Sequence, residues 1–317
     1  MKNNLEIVHL EGDHYAIGYQ HGKTLSKYIK QVIETRYQHI KKNLNISFSE
    51  ALKESEKYLP DAEKYFPEYI KEIEGIAKGA DIPFEKVFFL QVASEFAYRP
   101  DVLCSAFAVT PKYTQSNEVI IGQNWDNLKE YQSNIFIYNI KPTNKPAMLM
   151  FGYAGVLGYM GINDCGVAHV VNSLKSGKWR YGVTHYFLHR KLYEMKSVEE
   201  FIDLVNNVPI SSAANYLLSD NRGTILDMEI SAEGNREIRS DKLIVHTNHF
   251  LHSELQKNEK FHEEIDNSEK RLNRLTFLIN QEIPVNLDKM MSVMSDHENY
   301  PFSICRHDED PASTIKT

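Results

Sequence analysis

Apolar residues recur at helical spacing through the first hundred positions and at strand spacing beyond about position 103. One short strand is predicted at 5–10. Asp13 then stands where an N-cap belongs, ahead of Tyr15, Ile17, Tyr19, Leu25, Tyr28 and Ile29. Ser47 and Glu50 form a capping box for a second helix. The stretch 69–77 predicts a third helix ending at Gly79, and Asp81 with Pro83 opens a fourth through Phe88, Leu90 and Val92.

From Cys104 onward, segments 104–110, 119–123, 135–140, 147–151 and 167–171 are short and rich in Val, Ile, Phe and Tyr. Asn, Gly, Asp and Lys-Pro turns separate them, so they read as successive antiparallel strands. Helices follow at 184–195 and from a Ser197/Glu200 capping box, then strands at 215–219, 224–230 and 243–246. A charged, Leu-spaced helix over 252–278 and a shorter one over 287–294 complete the pattern. This order predicts an α+β fold in which mainly antiparallel sheets are covered by helical layers. No linker or repeat divides 1–317, so a single domain is expected, with a mainly helical 1–103 ahead of a strand-rich 104–317.

A quarter of the chain is charged, and 18 Tyr with 15 Phe supply a sizeable core. The net charge of -7 gives no basic field for nucleic acid or anionic lipid. No apolar run approaches the roughly 18 residues of a membrane span, and MKNNLEIVHLEGD has no apolar leader core, so a soluble cytoplasmic protein is expected. Three widely spaced cysteines, Cys104, Cys165 and Cys305, exclude a disulfide framework and a thiolate zinc site, leaving at least one thiol free.

Cys104 stands where the helical pattern gives way to strands. At the first position of a strand a side chain is both fixed and reachable. Gly122-Gln123-Asn124-Trp125-Asp126 ends the next strand, and a hairpin turning through Gln115-Ser116-Asn117 would return Asp126 to the level of Cys104. His185 and His189 share a helical face at the spacing of a zinc pair, but Tyr186 follows the first and no third ligand stands near, so no metal or other cofactor is expected. His246 and His249 could pair with Cys104 as a thiol-imidazole dyad, although polar residues at a strand end explain them as well. The glycines of 152–166 lack the lysine of a phosphate loop. The charged stretch 254–274 reads as a solvated helix face.

A Cys opening a strand ahead of G-Q-N-W-D resembles the acyl-CoA:6-aminopenicillanic acid acyltransferase family. Further matches run in order along the chain: Gly18 to Gly22; Glu74-Gly75-Ile76-Ala77 with Gly79-Ala80; Gly161-Ile162-Asn163 and Gly166; Asn172-Ser173-Leu174; Asn215-Tyr216-Leu217-Leu218; His246-Thr247-Asn248-His249-Phe250; and Ser303-Ile304-Cys305-Arg306. The resemblance implies the four-layer αββα fold of the N-terminal-nucleophile (Ntn) hydrolases and a precursor that cleaves itself between Leu103 and Cys104. It places the nucleophile on Cys104, the acid on Asp126 and an oxyanion-binding amide on Asn248. Ser105 and Arg306 fall to substrate binding or maturation. The freed α-amine, with a reference pKa near 8, would serve as the general base. The activity implied is that of an amidohydrolase or acyltransferase acting on a small amide or acyl thioester. Leu103 stands where relatives carry a small residue, and relatives continue for another strand or two past Thr317, which implies a shortened form. The residues alone leave open an unprocessed Cys-His thiol hydrolase and a non-catalytic binding protein on the same scaffold.

Overall fold

The computed structural model of the chain describes residues 5–96, 103–260, 265–307 and 315–316. It opens with β1 (Ile7–Gly12), α1 (His14–Leu44), α2 (Phe48–Glu56), α3 (Leu59–Tyr65), α4 (Pro67–Ala80) and α5 (Phe84–Phe96). The predicted caps hold: Asp13 accepts the Ala16 N–H at 2.8 Å, and Ser47 with Glu50 closes a reciprocal box. Gly79 does not end α4. The helix runs on to Ala80, capped by Asp81 in the left-handed region (φ 55°). Gly79 is a contact instead, because a Cβ there would lie 2.1 Å from the Tyr19 carbonyl oxygen, and one on Gly18 would lie 2.0 Å from that of Glu72. With Gly22 and Gly75 in the same situation, α1 and α4 touch backbone to backbone along a seam only glycine permits.

Next come β2 (Cys104–Val109), β3 (Ile120–Trp125), β4 (Asn127–Leu128), β5 (Ile135–Pro142), β6 (Met148–Tyr153), β7 (Gly161–Asn163) and β8 (Ala168–Ser173). Then follow α6 (His185–Leu192), α7 (Val198–Asn207), β9 (Ala214–Ser219), β10 (Ile225–Ile230), β11 (Arg236–Arg239) and β12 (Leu243–His246). The last are α8 (Ser253–Gln256), α9 (Ile265–Glu282), α10 (Leu287–Met294) and β13 (Ile315–Lys316). One sheet runs β1-β5-β6-β7-β8-β9-β10-β11, antiparallel except at β1-β5; the other runs β12-β2-β3, antiparallel throughout. β13 pairs with β4.

Three apolar interfaces separate four layers. Ile29, Ile73 and Phe88 of the first helical layer join Tyr138, Met150 and Met228 of the large sheet. Leu217 and Ile225 of that sheet meet Ala106, Ala108 and Ile244 of the small one. Phe107, Val109 and Val245 on its other face pack on Leu275, Ile279 and Met290 of α9 and α10. This is the αββα order. No helix among the described residues is long and apolar enough to cross a membrane.

Three local expectations differ from the structure. β3 and β5 do not pair: after β4 the chain changes sheets, so the run of strands is divided between two layers. Ser197 caps α7 without a side-chain bond; the carboxylate of Asp220 instead accepts the Val198 N–H at 3.4 Å. The helix expected over 252–278 is interrupted, because 257–260 commits its backbone elsewhere: Lys260 N–H donates to the Lys175 carbonyl at 2.8 Å.

Candidate active site

β2 is buried along its whole length, and its side chains alternate between the two neighbouring layers. Ala106 and Ala108 face the large sheet, whereas Phe107 and Val109 face α9 and α10. By the same period Cys104 falls on the inter-sheet side and Ser105 on the α9 side.

The hairpin register sets Cys104 opposite Trp125, and Asp126 follows at the level of the Leu103-Cys104 peptide. Its backbone N–H donates to the Leu103 carbonyl at 2.9 Å. On the other edge of β2, His246 pairs with Ala106, so the chain two residues on reaches Cys104. There Asn248 Oδ1 accepts the Cys104 N–H at 2.8 Å, and Asn248 Nδ2 donates to the Ser173 carbonyl at 3.1 Å. Asn248 thereby ties the small sheet to the end of β8. Its amide orientation is fixed by its partners, since Oδ1 also accepts from Arg271 Nη2 at 3.0 Å and two donors require an oxygen.

Arg271 is the residue that sequence reasoning missed. Far from lying on a solvated face, it is 1% exposed. Its Nη1 donates to the Cys104 carbonyl and, at 3.0 Å, to Ser105 Oγ, while Nε donates to Asn267 Oδ1 at 2.9 Å. The buried positions of α9 are Ser268, Arg271, Leu275 and Ile279, a helical stripe. That periodicity was the available signal: an arginine inside an apolar stripe has to find acceptors.

Asp126, itself buried, pairs with Arg306 through Nη1 and Oδ2 at 3.3 Å. The segment carrying Arg306 is pinned to β3, because Asn124 Nδ2 donates to the carbonyls of Met294 at 2.7 Å and Ile304 at 3.0 Å. The five residues singled out from the sequence, Cys104, Ser105, Asp126, Asn248 and Arg306, thus form one connected cluster with Arg271.

Burial and, after it, the charge of Asp126 push the Cys104 thiol up to about 12, against Arg271 and hydrogen bonds at Ser173 and Asn248. In the intact chain the thiol is therefore protonated at neutral pH. Burial likewise brings Arg271 down to about 10, opposed by Asp126 and Cys104, which leaves it charged.

The nearby imidazoles turn elsewhere. His246 engages the Thr247 carbonyl at 2.9 Å and Glu229 Oε1 at 3.0 Å, and His249 Nδ1 meets Ser268 Oγ at 2.7 Å. His185 meets Tyr216 and Ser212, and His189 stacks on His169 with a 2.8 Å contact between ring nitrogens. Among the described residues, a group with metal-ligand chemistry is instead His297, Cys305 and His307, whose ligand atoms lie within 4.8 Å of one another beside Arg306. A cavity of about 440 Å³ adjoins the cluster: Trp125, the partner of Cys104, and Ser173, the partner of Asn248, both line it.

Two sheets between helical layers thus enclose a strand-opening thiol that sits among Asn, Asp and Arg side chains. The chain belongs to the acyl-coenzyme A:6-aminopenicillanic acid acyl-transferase family, whose model matches residues 113–317. It is 27% identical over 306 residues to the 40 kDa form of the acyl-coenzyme A:6-aminopenicillanic-acid-acyltransferase of Emericella nidulans, covering 93% of this chain and 83% of that one. It is 24% identical over 270 residues to the beta-alanyl-dopamine/carcinine hydrolase of Drosophila melanogaster, covering 74% and 67%. Among solved structures, a penicillin V acylase from Agrobacterium tumefaciens matches with a TM-score of 0.32 at 15% identity, over 62% of this chain and 65% of that one. A conjugated bile acid hydrolase from Clostridium perfringens matches with a TM-score of 0.43 at 14% identity, over 61% and 78%.

Proposed function

We propose that this chain is a precursor that cleaves its own Leu103-Cys104 bond and then acts as an amidohydrolase or acyltransferase through a thioester on Cys104. One observation carries the reading: the Leu103-Cys104 peptide is held at both ends by groups the chemistry needs. The Asp126 N–H donates to the Leu103 carbonyl, and Asn248 Oδ1 accepts the Cys104 N–H.

In maturation, Sγ of Cys104 attacks the Leu103 carbonyl carbon while the Asp126 N–H stabilises the developing oxyanion, an interaction worth roughly 3 kcal/mol per donor. The C–N bond breaks, the nitrogen leaves as the α-amine with the thiol proton, and water hydrolyses the resulting thioester. The products are a chain 1–103 and a chain 104–317. The new amine stays against Asn248 Oδ1, next to the thiol whose proton it can take.

In turnover the thiol attacks a substrate amide, its proton passes through the α-amine to the departing amine, and the acyl group remains on Sγ. Water or an acceptor amine then releases it. Asn248 Nδ2, held at the Ser173 carbonyl, keeps a second N–H that would meet the incoming carbonyl's oxyanion, and Arg271 fixes Asn248 and the Cys104 carbonyl around it. Arg306 orients Asp126. The names of the relatives, an acyl-coenzyme A acyltransferase and a beta-alanyl-dopamine/carcinine hydrolase, support a small-molecule amide or acyl-thioester substrate.

The reading is tested by acid-quenching the protein during turnover of a simple amide and mapping its peptides. The acyl mass is expected on the peptide that begins at Cys104. Acyl mass on another residue, or on none while turnover proceeds, would remove Cys104 from the chemistry.

A further inference from the structure

Three soft ligands converge next to Arg306. His297 Nε2 lies 2.6 Å from His307 Nε2, and Cys305 Sγ lies 3.6 Å from the same nitrogen. All three ligand atoms fall within 4.8 Å of one another. The sequence argued against zinc on the spacing of the cysteines among themselves and on the surroundings of His185 and His189. One thiolate with two imidazoles, drawn together from the two ends of a loop, escapes both arguments.

The backbone that carries these side chains is fixed independently of them. Cys305 N–H donates to the Asp296 carbonyl at 3.0 Å, which closes the loop and sets His297 beside Cys305. Ser303 Oγ donates to the Cys305 carbonyl at 2.5 Å, and Asn124 Nδ2 holds the carbonyls of Met294 and Ile304. The neighbouring carboxylate of Asp296 is taken up by Arg274 at 2.6 and 3.0 Å. Calcium and magnesium take oxygen ligands, whereas one thiolate and two imidazoles suit zinc and its borderline-soft neighbours.

With bonds of about 2.0–2.1 Å to nitrogen and about 2.3 Å to sulfur, tetrahedral zinc sets a nitrogen and a sulfur roughly 3.6 Å apart and two nitrogens roughly 3.3 Å apart. Cys305 and His307 already stand at the first spacing. The two rings, within 14° of parallel and with centroids 4.8 Å apart, meet nitrogen to nitrogen, so one proton lies between them. For an ion to take its place His297 has to draw back by about 0.7 Å, which its exposed side chain permits. The proton moves to Nδ1 of the ring that carries it, and the thiol proton passes to solvent. A thiolate and two neutral imidazoles remain as ligands.

We propose that His297 Nε2, Cys305 Sγ and His307 Nε2 bind a zinc-class divalent ion, with water completing the tetrahedron, and that the ion clamps the segment carrying Arg306. Arg306 stands between two of the ligands in the chain and pairs with Asp126, whose N–H donates to the Leu103 carbonyl, so the clamp fixes one side of the candidate active site. The site makes no use of Cys104 and is independent of the thioester reading.

The test titrates Co2+, a spectroscopic substitute for zinc, into the full-length protein as wild type and as Cys104→Ala. Both are expected to bind it with a thiolate-to-cobalt charge-transfer band in the near ultraviolet and the intense visible bands of tetrahedral coordination, and Zn2+ should displace it. Cys305→Ser in the Cys104→Ala chain abolishes the charge-transfer band. Loss of an outer-shell partner already costs roughly 10–100-fold in affinity, so His297→Ala and His307→Ala, each removing a ligand, should weaken binding by about 100-fold or more. These side chains are exposed or half-buried, and circular dichroism checks that the variants fold. No bands in either protein, bands lost with Cys104→Ala, or a charge-transfer band that survives Cys305→Ser would overturn the site.

The clamp is read from melting. Zn2+ should raise the melting temperature of the Cys104→Ala chain by mass action and leave its Cys305→Ser derivative unmoved. An equal shift in the two proteins, or none in either, would overturn the clamp.

Discussion

The backbone N–H of Cys104 donates to Asn248 Oδ1 at 2.8 Å across 144 residues of sequence. The nitrogen in that bond is the one that the proposed self-cleavage would release as an amine, so on that reading the contact would position the base before cleavage. Asn248→Ala should leave the fold intact by circular dichroism yet slow both cleavage and turnover by about 100-fold or more. Asp126→Asn should do the same, because it keeps the backbone donor to Leu103 but removes the carboxylate paired with Arg306. Loss of fold in both variants would place them in a structural network.

Arg271 is expected to be needed for stability as well as for maturation. Its fork serves the Cys104 carbonyl, Ser105 Oγ and Asn248 Oδ1, and Arg271→Met removes this donor from the buried Cys104 carbonyl and Ser105 Oγ, at about 1–3 kcal/mol for an unsatisfied group. A fall in melting temperature with little cleavage on a gel time course is the expected result. Arg271→Lys, which retains charge without the planar fork, should lie between.

The site also shows how much was legible in the sequence. The hairpin could be read from Gln115-Ser116-Asn117, with Asn117 indeed in the left-handed region (φ 56°), and the residue count alone then brought Asp126 level with the peptide before Cys104. Arg271 falls in the stretch expected to be a solvated face, although it sits on the apolar stripe of α9. Its partner Cys104 lies on β2, 167 residues away, which no local pattern contains. Likewise the division of the strands between two sheets depends on layer packing, whereas the individual strands depend on period-2 alternation that the chain displays openly.

The helical seam should tolerate no side chain. A Cβ on Gly75 would lie 2.3 Å from the Tyr15 carbonyl oxygen, a backbone atom that no rotamer change can move. Gly75→Ala should therefore cost about 3 kcal/mol or more, at the upper end for overpacking, and be visible as a lower urea midpoint. An alanine variant of wild-type stability would mean that α1 and α4 separate at little cost.

Acid should destabilise the fold through His21. Burial lowers its pKa to about 4, opposed by Glu72, and Nε2 accepts the Gly155 N–H at 2.9 Å. The unfolded chain binds this proton near pH 6.5 and the folded chain only near 4, so the contribution is complete above about 6.5 and is lost as pH falls toward 4. By pH 5 the loss from this residue is about 2 kcal/mol. Urea titrations at pH 7 and pH 5 should show a smaller decline for His21→Gln, which keeps an acceptor and cannot titrate. An equal decline would assign the acid sensitivity to other groups.

The central claim is that one sulfur atom performs both cleavage and turnover, and intact-mass spectrometry of the purified wild type and Cys104→Ala proteins tests it most directly. The wild type should give two polypeptides, one ending at Leu103 and one beginning at Cys104, and Cys104→Ala a single inactive chain. A Cys104→Ala protein that is cleaved at this bond or hydrolyses amides would contradict the account.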